Sequence, residues 1–183
     1  MVTAKVSFRE QLSHWRSWWV GMVVAIVLLL VALPAHAAPT PAKFSKQYAP
    51  PPSYSNAELA DQDFSGQALR VAEFSNANLN RVNFANADLT GAVLSASTMT
   101  ETSLQGADLT QSMLDQVRMV RTDLSNAILV NAILLRTTFE DVTIAGADFT
   151  DAILDGAQVK KLCKIATGVN SKTGVSTSDS LGC

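Results

Sequence analysis

An apolar residue returns at every fifth position along this chain, and that period excludes most folds. Stepping by five from Leu59 to Val159 lands twenty-one times, on twelve Leu, five Phe, two Met, one Ile and one Val. On an α-helix five residues rotate a side chain by about 140°, so the series spirals around the cylinder and makes no stripe. On a strand five is odd, so successive members point to opposite faces. The period is satisfied by a chain that makes one short extended stretch, turns a corner and repeats, each central residue facing a common axis. The spacing therefore predicts a solenoid over residues 55–161.

Two residues before the central one stands Ala in eleven units, Ser or Thr in five and Val in three, with Gln at Gln62 and Gln67. An inward position that stays small predicts a narrow interior, filled by one large and one small side chain per side. Longer repeats count the sides. Two residues after every fourth central residue come Gly66, Asn86, Gly106, Asn126 and Gly146. These types tolerate positive φ, which assigns them to one corner. On a neighbouring side the same offset gives Asp61, Arg81, Glu101, Arg121, Asp141 and Lys161, so charge alternates from coil to coil. With coils about 4.8 Å apart, each charge is expected between two opposite ones. A coil of fifteen residues destroys both columns, whereas one of twenty residues and four sides keeps them.

Units such as "ANADLTGAVL", "QGADLTQSML" and "AGADFTDAIL" resemble the A(D/N)LXX pattern of the pentapeptide-repeat family over about residues 55–161. The resemblance implies an all-β solenoid, a right-handed quadrilateral β-helix, here of about five coils of four pentapeptides. Behind it, residues 162–183 form an expected C-terminal cap, with a helical turn or two over Lys160–Ala166 closing the open end of the core. Cys163 and Cys183 are the two cysteines of the chain. In an exported protein an isolated pair reads as a disulfide closing a loop of about twenty residues. A redox-active or metal-binding pair is the competing reading, and two cysteines without histidine make a poor zinc site.

Export is read from residues 1–37. Lys5, Arg9 and Arg16 precede an apolar run from Trp18 to Leu33, then Pro34 and an Ala-His-Ala segment. This is the order of a secretory signal peptide cleaved between Ala37 and Ala38. An uncleaved membrane anchor is the alternative. Cleavage removes both histidines and leaves 11 Lys and Arg against 15 Asp and Glu, a net charge of −4. Without histidine, His-based acid–base catalysis, catalytic triads and His metal sites are unavailable. Residues 38–54 hold every proline beyond Pro34 and are expected to form an extended tether. Leader, pentapeptide array and the "LCKIATGVNSKTGV…SLGC" tail together resemble the thylakoid-lumen pentapeptide proteins of cyanobacteria and chloroplasts. That resemblance implies the lumen, with the periplasm or a membrane-anchored location as alternatives.

The functional expectation is a non-enzymatic extracytoplasmic scaffold with no cofactor, metal or catalytic residue. It binds an unidentified protein or a second copy of itself, and meets membrane only through an uncleaved leader. A DNA-mimicking topoisomerase inhibitor, an activity known in other pentapeptide proteins, is the alternative. Such a mimic needs continuous negative potential, which Arg81, Arg121 and Lys161 interrupt, and export separates the chain from nucleic acid. Asp88 and Asp108 should stack one coil apart and repel, raising one pKa or attracting a cation, although a solvated face is the stronger reading. The informative surface is apolar: Val93, Met113, Ile133 and Ile153 occupy one outward column after Glu73, and Ile128, Val130 and Leu135 adjoin it. Outward aliphatics over four coils mark a partner or dimer surface, or one covered by the tether or the tail.

Overall fold

The computed structural model describes residues 50–183. The leader, the cleavage point between Ala37 and Ala38 and most of the expected tether lie outside the described residues.

Each rung of the chain is answered twenty residues on. The backbone N–H of Tyr54 donates to the carbonyl of Glu73 at 2.6 Å, that of Leu59 to Asn78 at 2.9 Å and that of Phe64 to Asn83 at 2.8 Å. Parallel bridges join residues twenty apart in columns that open at Ser53, Glu58, Asp63 and Ala68. In the second column the bridges lengthen into strands β1 (Thr98–Thr100), β2 (Arg118–Val120) and β3 (Thr138–Glu140). These form a parallel sheet with Met99 opposite Met119 and Met119 opposite Phe139. The twenty-residue period read from the Gly/Asn and charge columns is thus the period of the bridges.

The core is the five-residue series itself. Phe74, Leu79, Phe84, Leu89 and Leu94 are wholly buried. At the N-terminal end the rings of Tyr54 and Phe74 stack at 4.9 Å, and those of Phe64 and Phe84 at 5.3 Å. Where Thr102, Ser112, Thr122 and Thr137 take the small inward position the hydroxyl finds the backbone, whereas the buried Oγ of Ser97 has no partner. Thr102 Oγ1 donates to the carbonyl of Leu79 at 2.7 Å, Ser112 Oγ to that of Leu109 at 2.6 Å and Thr122 Oγ1 to that of Met99 at 3.1 Å. Such bonds remove most of the penalty of burying a hydroxyl, so the position accepts small polar residues as well as Ala.

Positive φ is not confined to one corner. Every fifth residue from Asn56 to Asp151 has it, including Val71 (52°), Arg81 (57°) and Glu101 (57°). At most corners the N–H three residues after the central one returns to the central carbonyl, as from Ala57 to Tyr54 at 3.1 Å, but the corners after Met99, Leu114, Met119 and Phe139 do without that bond. A four-residue turn closed by that bond, with positive φ at its third residue, is type II, and it forms most of the corners. The Gly/Asn alternation has a second cause. A Cβ on Gly106 would lie 2.6 Å from Asn86 Oδ1, and one on Gly146 would lie 2.8 Å from Asn126 Oδ1. Each asparagine amide fills the space beside the glycine of the following coil.

The ends also depart from expectation. Bridging begins at Ser53, paired with Glu73, and Tyr54 takes a central position, so the array starts inside the expected tether. It stops before 161, because helix α1 spans Gly156–Leu162, four residues earlier than expected, and Val159 is helical. Asp155 Oδ1 accepts from the N–H groups of Ala157 and Gln158, both at 2.9 Å, while Gln158 Oε1 accepts from the N–H of Asp155 at 2.7 Å. This capping box starts the helix regardless of the apolar landing at 159. A second helix, α2 (Thr177–Leu181), follows N-cap Ser176. Leu162 and Leu181 are buried, and Gln158 Nε2 donates at 2.7 Å to the carbonyls of both Leu134 and Thr137. The cap therefore satisfies the exposed edge of the last coil, and the Cys163–Cys183 disulfide closes it.

The charge column resolves into separate pairs. Arg81 grips Asp61 with Nε–Oδ1 at 2.6 Å and Nη2–Oδ2 at 2.7 Å, and Arg121 Nη2 lies 2.7 Å from Glu101. Each arginine chooses the acid of the preceding coil, and Lys161 leaves the column with α1. In the Arg81–Asp61 pair both oxygens of one carboxylate accept from Nε and Nη2, the bidentate geometry that makes such pairs strong.

Candidate interaction surface

Side chains alternate along each short rung, so the residue before each buried centre faces out. Bridges from Glu73 to Val93, to Met113, to Ile133 and to Ile153 place the apolar series in one column. Met113 is 36% exposed and Ile153 49%, while Val93 and Ile133 are half-buried against their neighbours. Leu135, just past the buried Leu134, is 41% exposed and widens the strip. Ile133 and Leu135, with Asp115, Gln116 and Arg136, line a cleft of about 350 Å³.

Ile128 and Val130 belong to another column. Ile128 bridges Asp108 on one side and Asp148 on the other, so its half-buried side chain interrupts a row of aspartates. The two sides meet at the turn holding Asn131. The seven residues form a strip on one side and an apolar extension around the corner at one coil.

The C-terminal tail lies elsewhere. Asn170 Nδ2 donates to the carbonyls of Asn126 (3.2 Å), Ala127 (3.2 Å) and Gly146 (2.8 Å), and Lys172 Nζ to that of Gly106 at 2.7 Å. Gly168 approaches so closely that a Cβ there would lie 2.9 Å from the Gly146 nitrogen. The Gly/Asn corner is the seat of the tail, and Met113, Leu135 and Ile153 stay exposed beside it.

The sequence matches the family model for pentapeptide repeats (8 copies) over residues 57–95, 77–116 and 118–157. The chain belongs to the pentapeptide-repeat family. Its fold is accordingly a right-handed β-helix solenoid. Among solved structures it is similar to a pentapeptide repeat protein from the thylakoid lumen of Arabidopsis thaliana. That match has 41% identity and a TM-score of 0.32, covering 72% of this chain and 85% of the other. It is also similar to HetL, a pentapeptide repeat protein involved in heterocyst differentiation regulation from the cyanobacterium Nostoc. There the identity is 23% and the TM-score 0.37, over 61% of this chain and 49% of HetL. QnrB1, a plasmid-mediated fluoroquinolone resistance protein, matches at 22% identity and a TM-score of 0.27, over 61% of this chain and 69% of the other. A comparison with curated proteins finds no match.

The pentapeptide pattern also explains the aspartates. Asp88, Asp108 and Asp148 each accept at Oδ1 from the N–H two residues on, in Thr90, Thr110 and Thr150, at 3.1, 3.0 and 2.9 Å. Asp or Asn before the central residue thus braces the turn that follows it. Asp88 and Asp108 do stack as a bridge pair, but repulsion does not raise the pKa of Asp88. Its carboxyl sits below the ordinary range: desolvation, the largest influence, pushes upward and is outweighed by the hydroxyl and N–H of Thr90 and by Arg70, 3.1 Å away. An A(D/N)LXX unit alone does not reveal this partner, because Arg70 reaches Asp88 from the coil before.

Proposed function

We propose that this pentapeptide-repeat protein is an exported, non-enzymatic scaffold that binds another protein through the strip Val93, Met113, Ile133, Ile153 and Leu135, with Ile128 and Val130 at its edge. Its cross-section is quadrilateral, with about five coils, which makes the strip one flat side of a stiff rod. A single observation carries the reading: aliphatic side chains stack outward over four consecutive coils and stay partly exposed while the tail packs on a different corner. Burying them yields roughly 25 cal/mol per Å², a few kcal/mol for the strip. Export is supported by the leader-like residues 1–37 and by the disulfide. The lumen is the favoured compartment from the tail resemblance, and the relative at 41% identity comes from a thylakoid lumen. The Arg81–Asp61 and Arg121–Glu101 pairs, which neutralise the most charged column, weigh against DNA mimicry.

The double substitution Met113→Asp with Ile133→Asp tests the strip. The protein should keep its thermal midpoint within a few degrees and lose the partner, or the second copy, captured by crosslinking in its native compartment. Recovery of the same crosslinked species by the variant removes the strip as the interface.

A further inference from the structure

Charge is divided along this molecule. Residues 50–155 carry five Arg against fourteen Asp and Glu, formally −9, whereas residues 156–183 carry four Lys against Asp179 alone, formally +3. Among the described residues the ion pairs all use arginines of the solenoid. Of the four cap lysines, Lys172 is engaged with the Gly106 carbonyl. Lys160, Lys161 and Lys164 are exposed, grouped within five residues at the last turn of α1 and the turn that follows. Ile165 beside them is 45% exposed. Lys161, Lys164 and Ile165 also line, with Phe139, Val142 and Asp141, a cleft of about 310 Å³ between the cap and the last coils.

We infer that this end of the solenoid docks on an anionic lipid surface. Lysine clusters interleaved with an aliphatic side chain suit a headgroup layer, since each lysine adds attraction near a negative surface and the aliphatic stem enters the boundary. A protein partner is the weaker fit, because lysine is depleted at protein interfaces and arginine favoured there. The −9 of the solenoid is repelled by the same surface, so the molecule stands end-on, with the apolar strip running away from the membrane and open to a partner. The disulfide and the Gln158 bonds fix the lysines to the rod, so docking orients all of it. This contact is separate from the leader, which the sequence alone offers as the route to membrane. It does not depend on the strip being an interface.

The test uses protein as its source processes it, with vesicles of phosphatidylcholine alone or containing 30 mol% phosphatidylglycerol. Wild type should sediment with the anionic vesicles at low salt and be released as salt rises. Joint replacement of Lys160, Lys161 and Lys164 by Gln should weaken binding at least tenfold with the thermal midpoint retained. A single Lys172→Gln variant should bind like wild type. Equal binding by wild type and the triple variant overturns the proposal, whether both bind every vesicle or neither binds any. Loss of an acidic protein partner from the triple variant, with no wild-type binding to anionic vesicles, also overturns it.

Discussion

At the residue scale the solenoid is a series of positive-φ corners, most of them closed as type II turns, and several hold residues that such turns do not favour. Neither Gly nor Asn occupies the corner at Val71, Arg81, Ala96, Glu101 or Gln111, yet all have positive φ. The inter-coil bonds hold them there: the N–H of Val71 donates to Thr90 and that of Arg81 to Thr100, at 2.9 and 2.8 Å. Val71 is the extreme case, a β-branched residue with φ of 52° that is 54% exposed. Little packing holds it, so its strain is removable. Val71→Asn should stabilise the protein by about 1 kcal/mol in a denaturant titration. Gly106→Val should do the reverse, by more than about 1 kcal/mol, because it adds the same backbone strain and drives a Cβ to 2.6 Å from Asn86 Oδ1. An unchanged midpoint for either variant contradicts the account of the corners. The sequence shows the Gly/Asn corner because identity and spacing agree there. It shows the others only in part, at Asn56, Asn76, Gly91 and Asn131, because inter-coil bonds hold other residue types at positive φ as well.

At the scale of elements, the tail and the aspartate column act on each other. Asp148 is 1% exposed, and Thr173 of the tail joins Thr150 in hydrogen bonding its carboxyl. Its pKa lies below the ordinary value: desolvation, the largest influence, opposes the shift, and the bonds from Thr150 and Thr173 outweigh it. A depressed folded-state pKa contributes stability that is fully present above the unfolded value, near 3.9, and is lost as pH falls through the folded value. Wild type should therefore lose stability as pH drops below about 4, and Asp148→Asn, which keeps an acceptor for the Thr150 N–H, should lose less over the same window. Urea midpoints between pH 6 and pH 2 measure the difference, and parallel curves refute it. The cysteine pairing was legible because two cysteines in an exported chain have one simple use. The course of the tail was not, since its anchors Asn170 and Lys172 bond to backbone carbonyls, which carry no sequence signature. The shift of α1 has a readable cause, Asp155 with Gln158, but a capping box competes poorly for notice with an apolar residue at Val159 that continues the five-residue count.

At the scale of the whole molecule a β-solenoid has two open edges, and each is a template for another chain unless it is blocked. The C-terminal edge is covered by α1 and α2, with Gln158 supplying donors to the carbonyls of the last coil. The first coil is managed differently. Its small inward positions hold Gln62 and Gln67 where the other coils carry Ala, Val, Ser or Thr, and both are exposed. Glu58 and Asp63 add negative charge to the same coil, while Asp61 is paired with Arg81. Two copies meeting by this end would bury amides without partners and bring like charges together, each costing on the order of 1 kcal/mol or more. Polarity thus marks the first coil, and helices α1 and α2 cover the last. Replacing Gln62 and Gln67 together by Leu should leave the inner coils folded, because both positions are exposed. It should also convert the end into an adhesive apolar surface. Light scattering should then report concentration-dependent association beyond that of the wild type, strengthened by salt as the negative charge of the solenoid is screened. A double variant that stays monodisperse at every salt concentration would mean that the glutamines are not what keeps this edge single.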